Sequence, residues 1–273
     1  MLKDRLIIAA ILISVVIYAV LAEEKIWFAL LMAVFITLAA REWANLSGLQ
    51  PQYCVIYQAI VVISMVVVYQ FSNTILLYIL VLTGVIWWVC GFVLVILYQN
   101  GWNWIPSNQF VKAVIGMLVL IPAWLSIVVL HERLPDGVKM VLFLLLLVWL
   151  ADTAAYFAGC RWGKTKLASR ISPGKTWEGI AGAFVACAGL SVGYIMLSDM
   201  QGAGVFLFLF LCLVTVIASV LGDLLESLFK RLADRKDSGV ILLGHGGVMD
   251  RMDSLTAATP VFLAGIWLLE GKI

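Results

Sequence analysis

The chain has 273 residues, of which 64% are hydrophobic and 12% are charged, and its mean hydropathy is +1.07. Soluble domains carry about 25% charged residues, so this composition excludes an ordinary soluble protein and indicates an integral membrane protein. The formal net charge of +2 argues against a nucleic-acid partner. The five cysteines have no Cys-x-x-Cys spacing, which argues against a zinc site or a disulfide framework.

Nine apolar segments are candidates for membrane-spanning helices, because a helix needs roughly 20 apolar residues to cross about 30 Å of hydrocarbon. In chain order they are residues 6–22, 26–40, 54–69, 75–98, 111–130, 140–158, 180–197, 203–221 and 255–269. The second and third segments are short for a complete span. We therefore predict an all-α, polytopic integral membrane protein with about nine transmembrane helices.

The basic residues predict the orientation of these helices, since cytoplasmic loops of membrane proteins carry an excess of Lys and Arg. With nine spans and a cytoplasmic N-terminus, fourteen of the eighteen Lys and Arg residues fall on the cytoplasmic side. The exceptions are Lys25, Arg133, Lys139 and Lys272. The first segment also fits a signal peptide that ends in the sequence AVLA before Glu23; if it is not cleaved, it is the first span.

Polar residues divide the chain into two regions. Residues 1–150 are mainly apolar and are predicted to form a scaffold of transmembrane helices. From Ala151 onward, polar residues gather in two segments, 159–179 and 222–254, which we predict to be cytoplasmic loops. We expect residues 151–273 to form a catalytic transmembrane region.

The apolar segment between the two loops carries small residues at helical spacing, namely Gly182, Ala186, Gly189 and Gly193. Such a pattern suits helix packing within the chain and a dimer interface equally well.

The first polar segment contains two sequences that could bind phosphate. GCRWGKT, residues 159–165, lacks one residue between its glycines and follows an apolar helix, so it is not the phosphate loop of an NTPase. SPGKTWEG, residues 172–179, combines a turn with Ser172, Lys175 and Thr176 where the next helix begins. A helix N-terminus attracts anions, so these groups suit a phosphate site. An ordinary helix cap with a lysine extended to the interface fits the stretch equally well.

The second polar segment begins with acidic and basic residues on one helical face. In GDLLESLFKR, residues 222–231, Asp223, Glu226 and Lys230 are three and four positions apart, and Ser227 follows Asp223 by four positions. An ordinary salt bridge at a helix end would satisfy Glu226 and Lys230. It would leave Asp223 without a partner, although a carboxylate at the end of a span is expected to have one.

The sequence KDSGVILLGHGGVMDRMDS, residues 236–254, places glycines around His245 and then two carboxylates, Asp250 and Asp253, on either side of Arg251. With Asp223, these carboxylates supply the hard oxygen ligands that Mg²⁺ takes together with substrate phosphates. Basic side chains suited to phosphate surround them in sequence, namely Lys230, Arg231, Lys236 and Arg251. The pattern favours a metal-assisted phosphate site at the membrane surface over a solvated charged loop.

These motifs resemble the signature of the bacterial phosphatidate cytidylyltransferase, or CDP-diacylglycerol synthase, family. The matching positions in the second segment include Ser227, Lys230, Arg231, Lys236, Asp237, Gly239, His245, Gly246, Gly247, Asp250, Arg251 and Asp253. Matches in and before the first segment are Asp152, Thr153, Ala155, Tyr156, Ser172, Pro173, Lys175, Thr176, Glu178 and Gly179. The chain departs from the pattern at Leu243, where the family has Pro or Gly, so a bulky aliphatic residue precedes Gly244.

The resemblance implies transfer of CMP from CTP to phosphatidic acid, giving CDP-diacylglycerol and pyrophosphate, at the cytoplasmic face of a bacterial inner membrane. Asp223 and Asp250, with Asp253 as a third or outer ligand, would hold Mg²⁺. The expected phosphate-binding residues are Ser172, Lys175, Thr176, Ser227, Lys230, Arg231, Lys236 and Arg251. His245 would orient a phosphate or a carboxylate, since the attacking phosphate is already ionised. Family analogy also suggests a homodimer.

Two other functions fit parts of the pattern. A CTP-dependent lipid kinase would attack the terminal phosphate with a lipid alcohol and would need a general base, such as His245 or an aspartate. A secondary transporter would use Asp152, Asp223 and Lys230 as a relay inside the membrane. Transporters often have internal repeats and broken helices near the midplane, whereas the charges here cluster at one surface and the sequence has no evident repeat.

Overall fold

The structure is a computed structural model that describes residues 2–71, 73–102, 108–198, 200–239, 241 and 246–271, with side chains from Ala10 onward. Over these residues the chain forms nine α-helices, one two-stranded hairpin and one 3₁₀ turn. The helices are α1 (Leu2–Leu21), α2 (Ile26–Leu46), α3 (Pro51–Phe71), α4 (Thr74–Gln99), α5 (Gln109–Arg133), α6 (Gly137–Trp162), α7 (Trp177–Met196), α8 (Ala203–Leu232) and α9 (Asp253–Leu269). The hairpin consists of β1 (Lys166–Ala168) and β2 (Ser172–Thr176), and the 3₁₀ turn covers Met249–Arg251.

Seven of the described helices, α2 to α8, are long and apolar enough to cross a membrane. Two apolar helical stretches are shorter, namely Ala10–Leu21 within α1 and the 17-residue helix α9. The all-α, multi-pass membrane architecture expected from the sequence is confirmed. The second and third apolar segments, which are short in the sequence, belong to helices of 21 residues each, because polar residues extend α2 and α3 beyond the apolar runs.

The C-terminal ends of α2, α4, α6 and α8 lie on one side of the structure. Gln99 at the end of α4 donates from Nε2 to Ser169 Oγ in the hairpin at 3.1 Å, and the hairpin itself directly follows α6. Arg231 at the end of α8 donates from Nε to the carbonyl oxygen of Ile171 at 3.1 Å. The last part of α2 contacts the 3₁₀ turn. Helices that alternate in direction across a membrane would end in this way.

Helix α5 lies at the centre of the bundle. Of the 18 residues in its most apolar stretch, 83% are buried, whereas the corresponding fraction is 22% in α3 and in α7. Trp43 donates from Nε1 to the carbonyl of Lys112 at 2.8 Å, and the Tyr57 hydroxyl donates to the carbonyl of Ala113 at 2.9 Å. Gly116, one turn further along α5, leaves the room that these two aromatic side chains occupy. These contacts join α2 and α3 to the start of α5.

Helix α9 is joined to α4 through a backbone group that a proline leaves unpaired. Pro260 lies inside α9 and has no N–H, so the carbonyl of Thr256, four residues earlier, lacks its intrahelical donor. The indole Nε1 of Trp88 on α4 donates to this carbonyl at 3.2 Å. An unsatisfied carbonyl in this buried position would be costly. The bond therefore fixes α9 against α4 about one turn after Asp253.

The chain between α6 and α7 folds as an antiparallel hairpin, where the sequence predicted only a loop. Arg170 at its turn donates from Nη1 to the carbonyl of Tyr98 at 3.0 Å, and its guanidinium lies 5.2 Å from the centroid of the Tyr98 ring. Together with the bond from Arg231 to Ile171, these contacts hold the hairpin against the ends of α4 and α8. The second strand therefore carries Lys175 towards α8.

The second polar segment, 222–254, is not a loop throughout, as the sequence analysis expected. Helix α8 continues to Leu232 and has 30 residues, which corresponds to about 45 Å at 1.5 Å per residue. It is thus longer than the roughly 30 Å of hydrocarbon in a bilayer. Asp223 and Lys230 project from its last three turns, because the polar face of residues 222–231 continues the apolar helix without a break.

Replacing Gly116 by alanine should destabilise the protein, because a Cβ at this position would collide with the side chains of Trp43 and Tyr57. Overpacking a core costs about 1–3 kcal/mol, so we expect a lower unfolding temperature in detergent, measured by tryptophan fluorescence. Gly189→Ala on α7 is the control, since a Cβ there has no neighbour within 4 Å. Equal unfolding temperatures for the two variants would contradict the packing described for α5.

Candidate functional site

The hairpin and α8 form an ion pair at one end of the bundle. Lys175 Nζ on β2 lies 2.7 Å from Asp223 Oδ2 on α8, and both side chains are only partly exposed. The Ser227 hydroxyl, one turn after Asp223, donates to Asp223 Oδ1 at 3.1 Å. The helical spacing of Asp223 and Ser227 predicted that they share a face. The partner of Asp223 comes from the hairpin, because the hairpin lies against the end of α8.

A second ion pair joins α8 to the 3₁₀ turn. Lys230 Nζ lies 2.7 Å from Asp250 Oδ1 and 3.5 Å from Glu226 Oε1, one turn earlier on α8. Asp250 also accepts backbone N–H groups, from Gly247 at 2.7 Å and from Ser238 at 3.1 Å. Partial burial raises the pKa of Asp250, but the bonds from Lys230, Gly247 and Ser238 outweigh it, and the pKa lies below its ordinary value. Asp250 is therefore ionised at neutral pH.

Further carboxyl groups surround these two ion pairs. Glu226 is 1% exposed and neighbours Asp253, which begins α9 and accepts the N–H of Ser254 at 2.7 Å. Asp152 on α6 interacts electrostatically with Lys175 and Asp223. The described residues nevertheless include no group of three His, Cys, Asp or Glu side chains arranged as ligands of one metal ion. Any cation here would share fewer protein ligands and would complete its shell with other oxygen atoms.

A cavity of about 440 Å³ extends from these charged groups into the apolar part of the bundle. Its polar end is lined by Asp152, Thr153, Asp250, Arg251 and Asp253. Its apolar end is lined by residues of α1, α2 and α6, namely Leu12, Ile13, Val16, Met32, Phe35, Leu145 and Trp149. A smaller cavity of about 190 Å³ lies at the opposite end of α9, around Arg133 and Trp267, and shares no residue with the site. The large cavity suits a ligand with a polar head and an apolar body.

The charges at the polar end restrict what can bind there. Three acidic side chains, Asp152, Asp250 and Asp253, line it together with the guanidinium of Arg251, and Lys230 pairs with Asp250. A phosphate beside the acidic side chains is favoured when a cation accompanies it, since like charges at close range oppose binding. The arrangement therefore suits a phosphate ligand that brings a cation with it.

Glu42 on α2 belongs to the site and was missed by the sequence analysis. Its side chain is 2% exposed, and its carboxylate accepts the N–H of Val248 at 3.0 Å, the N–H of Met249 at 2.8 Å and the hydroxyl of Ser238 at 3.0 Å. The sequence did carry a signal, because an acidic residue two positions after an apolar run is expected to have a partner. The predicted span ended at Ala40, so Glu42 was left outside it.

The structure brings together most of the residues that the sequence singled out. Lys175, Asp223, Ser227, Lys230 and Asp250 form the two ion pairs described above, and Asp253 and Arg251 line the adjoining cavity. Ser172 lies on the same strand as Lys175, and Lys236 is exposed between α8 and the 3₁₀ turn. His245, Leu243 and Gly244 lie outside the described residues.

Two predicted phosphate-binding residues also make structural contacts. Thr176 is 5% exposed and caps α7, because its Oγ1 accepts the N–H of Gly179 at 3.2 Å. This is the helix-cap alternative that the sequence left open. Arg231 uses its Nε to hold the hairpin through Ile171. Both residues therefore support Lys175 through the hairpin.

Comparison with known proteins gives matches along the whole chain. A sequence model described as the cytidylyltransferase family matches residues 3–269. A phosphatidate cytidylyltransferase of Pseudomonas aeruginosa is 38% identical over 271 residues, which cover 98% of this chain and 97% of that protein. A phosphatidate cytidylyltransferase of Haemophilus influenzae is 34% identical over 282 residues, with 96% and 97% covered. One from Staphylococcus saprophyticus is 37% identical over 153 residues, with 56% and 58% covered.

The family model and the first two relatives each extend over nearly all of the chain, including α2, the hairpin, α8 and the 3₁₀ turn. The chain therefore belongs to the cytidylyltransferase family.

Proposed function

We propose that the protein is a phosphatidate cytidylyltransferase, which transfers CMP from CTP to phosphatidic acid and releases pyrophosphate, as a step of phospholipid synthesis. The observation that carries this proposal is the pair of lysine–aspartate contacts at the polar end of an amphipathic cavity. The cavity offers an apolar region for acyl chains beside groups that suit metal-bound phosphates. The names of the full-length relatives support the same reaction.

The reaction makes modest demands on proton transfer. A phosphate oxygen of phosphatidic acid attacks the α-phosphorus of CTP, and the bond from that phosphorus to the oxygen bridging to the β-phosphate breaks. The attacking oxygen is already ionised at neutral pH, so the reaction does not require a general base. The main obstacle is the approach of two anions and the charge that develops on pyrophosphate, and such transfers are catalysed mostly by positioning and electrostatics.

The basic residues of the site would hold the substrate phosphates. Lys175 and Lys230 contact Asp223 and Asp250 through single ammonium groups, and an ammonium on a flexible stem can contact a carboxylate and a phosphate together. Arg251 at the cavity would bind the phosphate of the lipid, and Ser172 and Ser227 would donate hydroxyl hydrogen bonds. Arg231, Lys236 and Thr176 are proposed to contribute at the edge of the site.

Asp223 and Asp250, with Asp253 as a third or outer ligand, would hold Mg²⁺. The donor set fits this ion, because Mg²⁺ takes one or two carboxylates and completes its shell with substrate phosphates and water. When bound, Mg²⁺ would neutralise the charge of the CTP phosphates and of the leaving pyrophosphate. His245 is proposed to orient a phosphate or a carboxylate.

We further propose that the nine helices all span the membrane, with the N-terminus, the hairpin and the 3₁₀ turn on the cytoplasmic side of a bacterial inner membrane. The excess of Lys and Arg in the corresponding loops supports this orientation. Residues 151–273 would carry most of the chemistry and residues 1–150 most of the scaffold, with Glu42 as a contribution from the first region. A homodimer is also proposed. A Cβ at Gly182 would collide with Ala158 of the same chain, whereas a Cβ at Gly189 would have no neighbour within 4 Å, which leaves that part of α7 open to a partner.

The purified protein should release pyrophosphate and form CDP-diacylglycerol from phosphatidic acid, CTP and Mg²⁺. Asp250→Asn should lower kcat on the order of 10²-fold or more, since it removes one preorganised charge from the site. Asp234→Asn is the matched control, because Asp234 is exposed and has a positive φ of 52° that Asn tolerates. Release of CDP with diacylglycerol as the acceptor would instead indicate a lipid kinase, and an unaffected Asp250→Asn variant would contradict the proposed site.

Lys175→Met should lower kcat and raise KM for CTP, because it removes a cation from the phosphate site and leaves Asp223 without its ionic partner. We expect a combined loss in kcat/KM on the order of 10²-fold, measured by steady-state kinetics in mixed micelles. Lys139→Met is the control, since Lys139 also pairs with an aspartate, Asp136 at 2.8 Å, but is 73% exposed outside the site. Equal effects of the two substitutions would argue against a role for Lys175 in the reaction.

The orientation can be tested with single cysteines in a background without the five native ones. A cysteine at Lys139, in the first turn of α6, should react with a membrane-impermeant maleimide in intact spheroplasts. A cysteine at Arg235, between α8 and the 3₁₀ turn, should react only after the membrane is permeabilised, because the two positions would face opposite sides. The reverse pattern would place the site on the other side of the membrane.

A further inference from the structure

Glu42 connects a helix of the N-terminal region to the segment that carries Asp250. Its carboxylate accepts from Ser238, which lies 196 residues further along the chain, and from the consecutive N–H groups of Val248 and Met249. These donors belong to the two ends of residues 238–249. A side chain that accepts three hydrogen bonds at 2% exposure is fixed in place by its partners. Glu42 therefore joins the two described ends of a loop, residues 238–239 and 246–249, at one carboxylate.

Two glycines of this loop pack directly on the Glu42 carboxylate. A Cβ at Gly239 would collide with Glu42 Oε1, and a Cβ at Gly247 would collide with Glu42 Oε2 and with the Ser238 hydroxyl. Glycine at these positions therefore allows the backbone to approach the carboxylate closely. Gly246 has a different reason to be glycine, because its φ is +83°. The glycines of the loop are thus matched to Glu42 and to the turn that precedes Asp250.

The donors of Glu42 and Asp250 come from the same short stretches of backbone. Ser238 donates its hydroxyl to Glu42 and its N–H to Asp250. The N–H of Gly247 binds Asp250, and the next two N–H groups along the chain bind Glu42. A shift of the loop away from Glu42 would therefore also move the two N–H groups that hold Asp250. The two carboxylates share no donor atom, but their donors lie on the same loop, so the position of one carboxylate depends on the other.

We propose that Glu42 is a positioning residue for the reaction, which fixes residues 238–239 and 246–249 so that Asp250 is held beside Lys230 in the geometry that phosphate and metal binding require. This inference rests on the proposed function, in which Asp250 belongs to the site. Glutamine at this position would retain the size of the side chain but would turn an NH₂ group towards at least one of the donors. The NH₂ group would then face the N–H of Val248 or Met249, and because two donors repel each other, the loop would move.

The first test is kinetic and compares E42Q with the control E24Q, because Glu24 is an exposed glutamate outside the site. We expect E42Q to lower kcat on the order of 10²-fold, since small displacements of catalytic groups cost this much. We also expect a several-fold higher Mg²⁺ concentration for half-maximal rate. A purely structural role would reduce the amount of folded protein but leave the KM for CTP and the Mg²⁺ dependence of the folded fraction unchanged. That result would overturn the proposal.

G239A provides a second variant that leaves the charge of Glu42 intact. Its Cβ would press on Glu42 Oε1 and should therefore reproduce the shift in Mg²⁺ dependence seen with E42Q. If E42Q fails to fold, the same comparison can be made with G239A and with S238A, which removes one donor and leaves both N–H bonds to Glu42. Wild-type Mg²⁺ dependence in both of these variants would overturn the proposal.

Hydrogen exchange measured by mass spectrometry tests the positioning role without relying on activity. E42Q should speed the exchange of residues 246–252 in detergent, while peptides of α5 keep their wild-type rates. If the wild-type protein makes no CDP-diacylglycerol but E42Q still speeds exchange in this segment, the proposed function fails and the positioning of Asp250 by Glu42 stands. If the wild type is active and E42Q changes neither exchange nor kinetics, the inference fails and the proposed function stands.

Discussion

Compensation of carboxylates by ammonium groups at the ends of packed helices is the constraint on which the site depends. Asp223 and Asp250 each contact one lysine, and Glu226 lies buried beside Lys230. Removing an ionised group from water costs several kcal/mol unless a partner and further hydrogen bonds replace its hydration. Asp223 and Asp250 have such partners from other parts of the chain, whereas Glu226 has Lys230 of its own helix at 3.5 Å. The charged site and the fold of this end of the bundle therefore form together.

Three elements bring these charged groups together, and each is fixed by contacts with other helices. The hairpin is held by Arg170 and Arg231, so that Lys175 reaches α8. The 3₁₀ turn is held by Glu42, and the start of α9 is fixed through the bond from Trp88 to Thr256. Glu42, Arg170 and Trp88 can do this without contacting a substrate. They determine where the charged groups lie relative to the apolar end of the cavity. The site can therefore offer charged groups and an apolar surface to the same ligand.

Much of this arrangement could be predicted from the sequence, because lipid imposes a strong composition on spanning helices and helical spacing places Asp223, Ser227 and Lys230 on one face. The pairing of Lys175 with Asp223 could not be predicted, since it depends on how the hairpin lies against α4 and α8. Glu42 was missed because its donors are about 200 residues away and a lone acidic residue after an apolar run reads as the end of a span. Long-range contacts of this kind leave no local pattern.

The cavity has a polar end at the charged groups and an apolar end among α1, α2 and α6, where Ile13 is exposed. Under the proposed reaction, the two substrates would approach it from different phases. The nucleotide would come from water, and the lipid would diffuse laterally without leaving the bilayer. The products would separate in the same way, pyrophosphate into water and the nucleotide lipid into the membrane plane. The surface density of phosphatidic acid, and not its bulk concentration, would then set the rate.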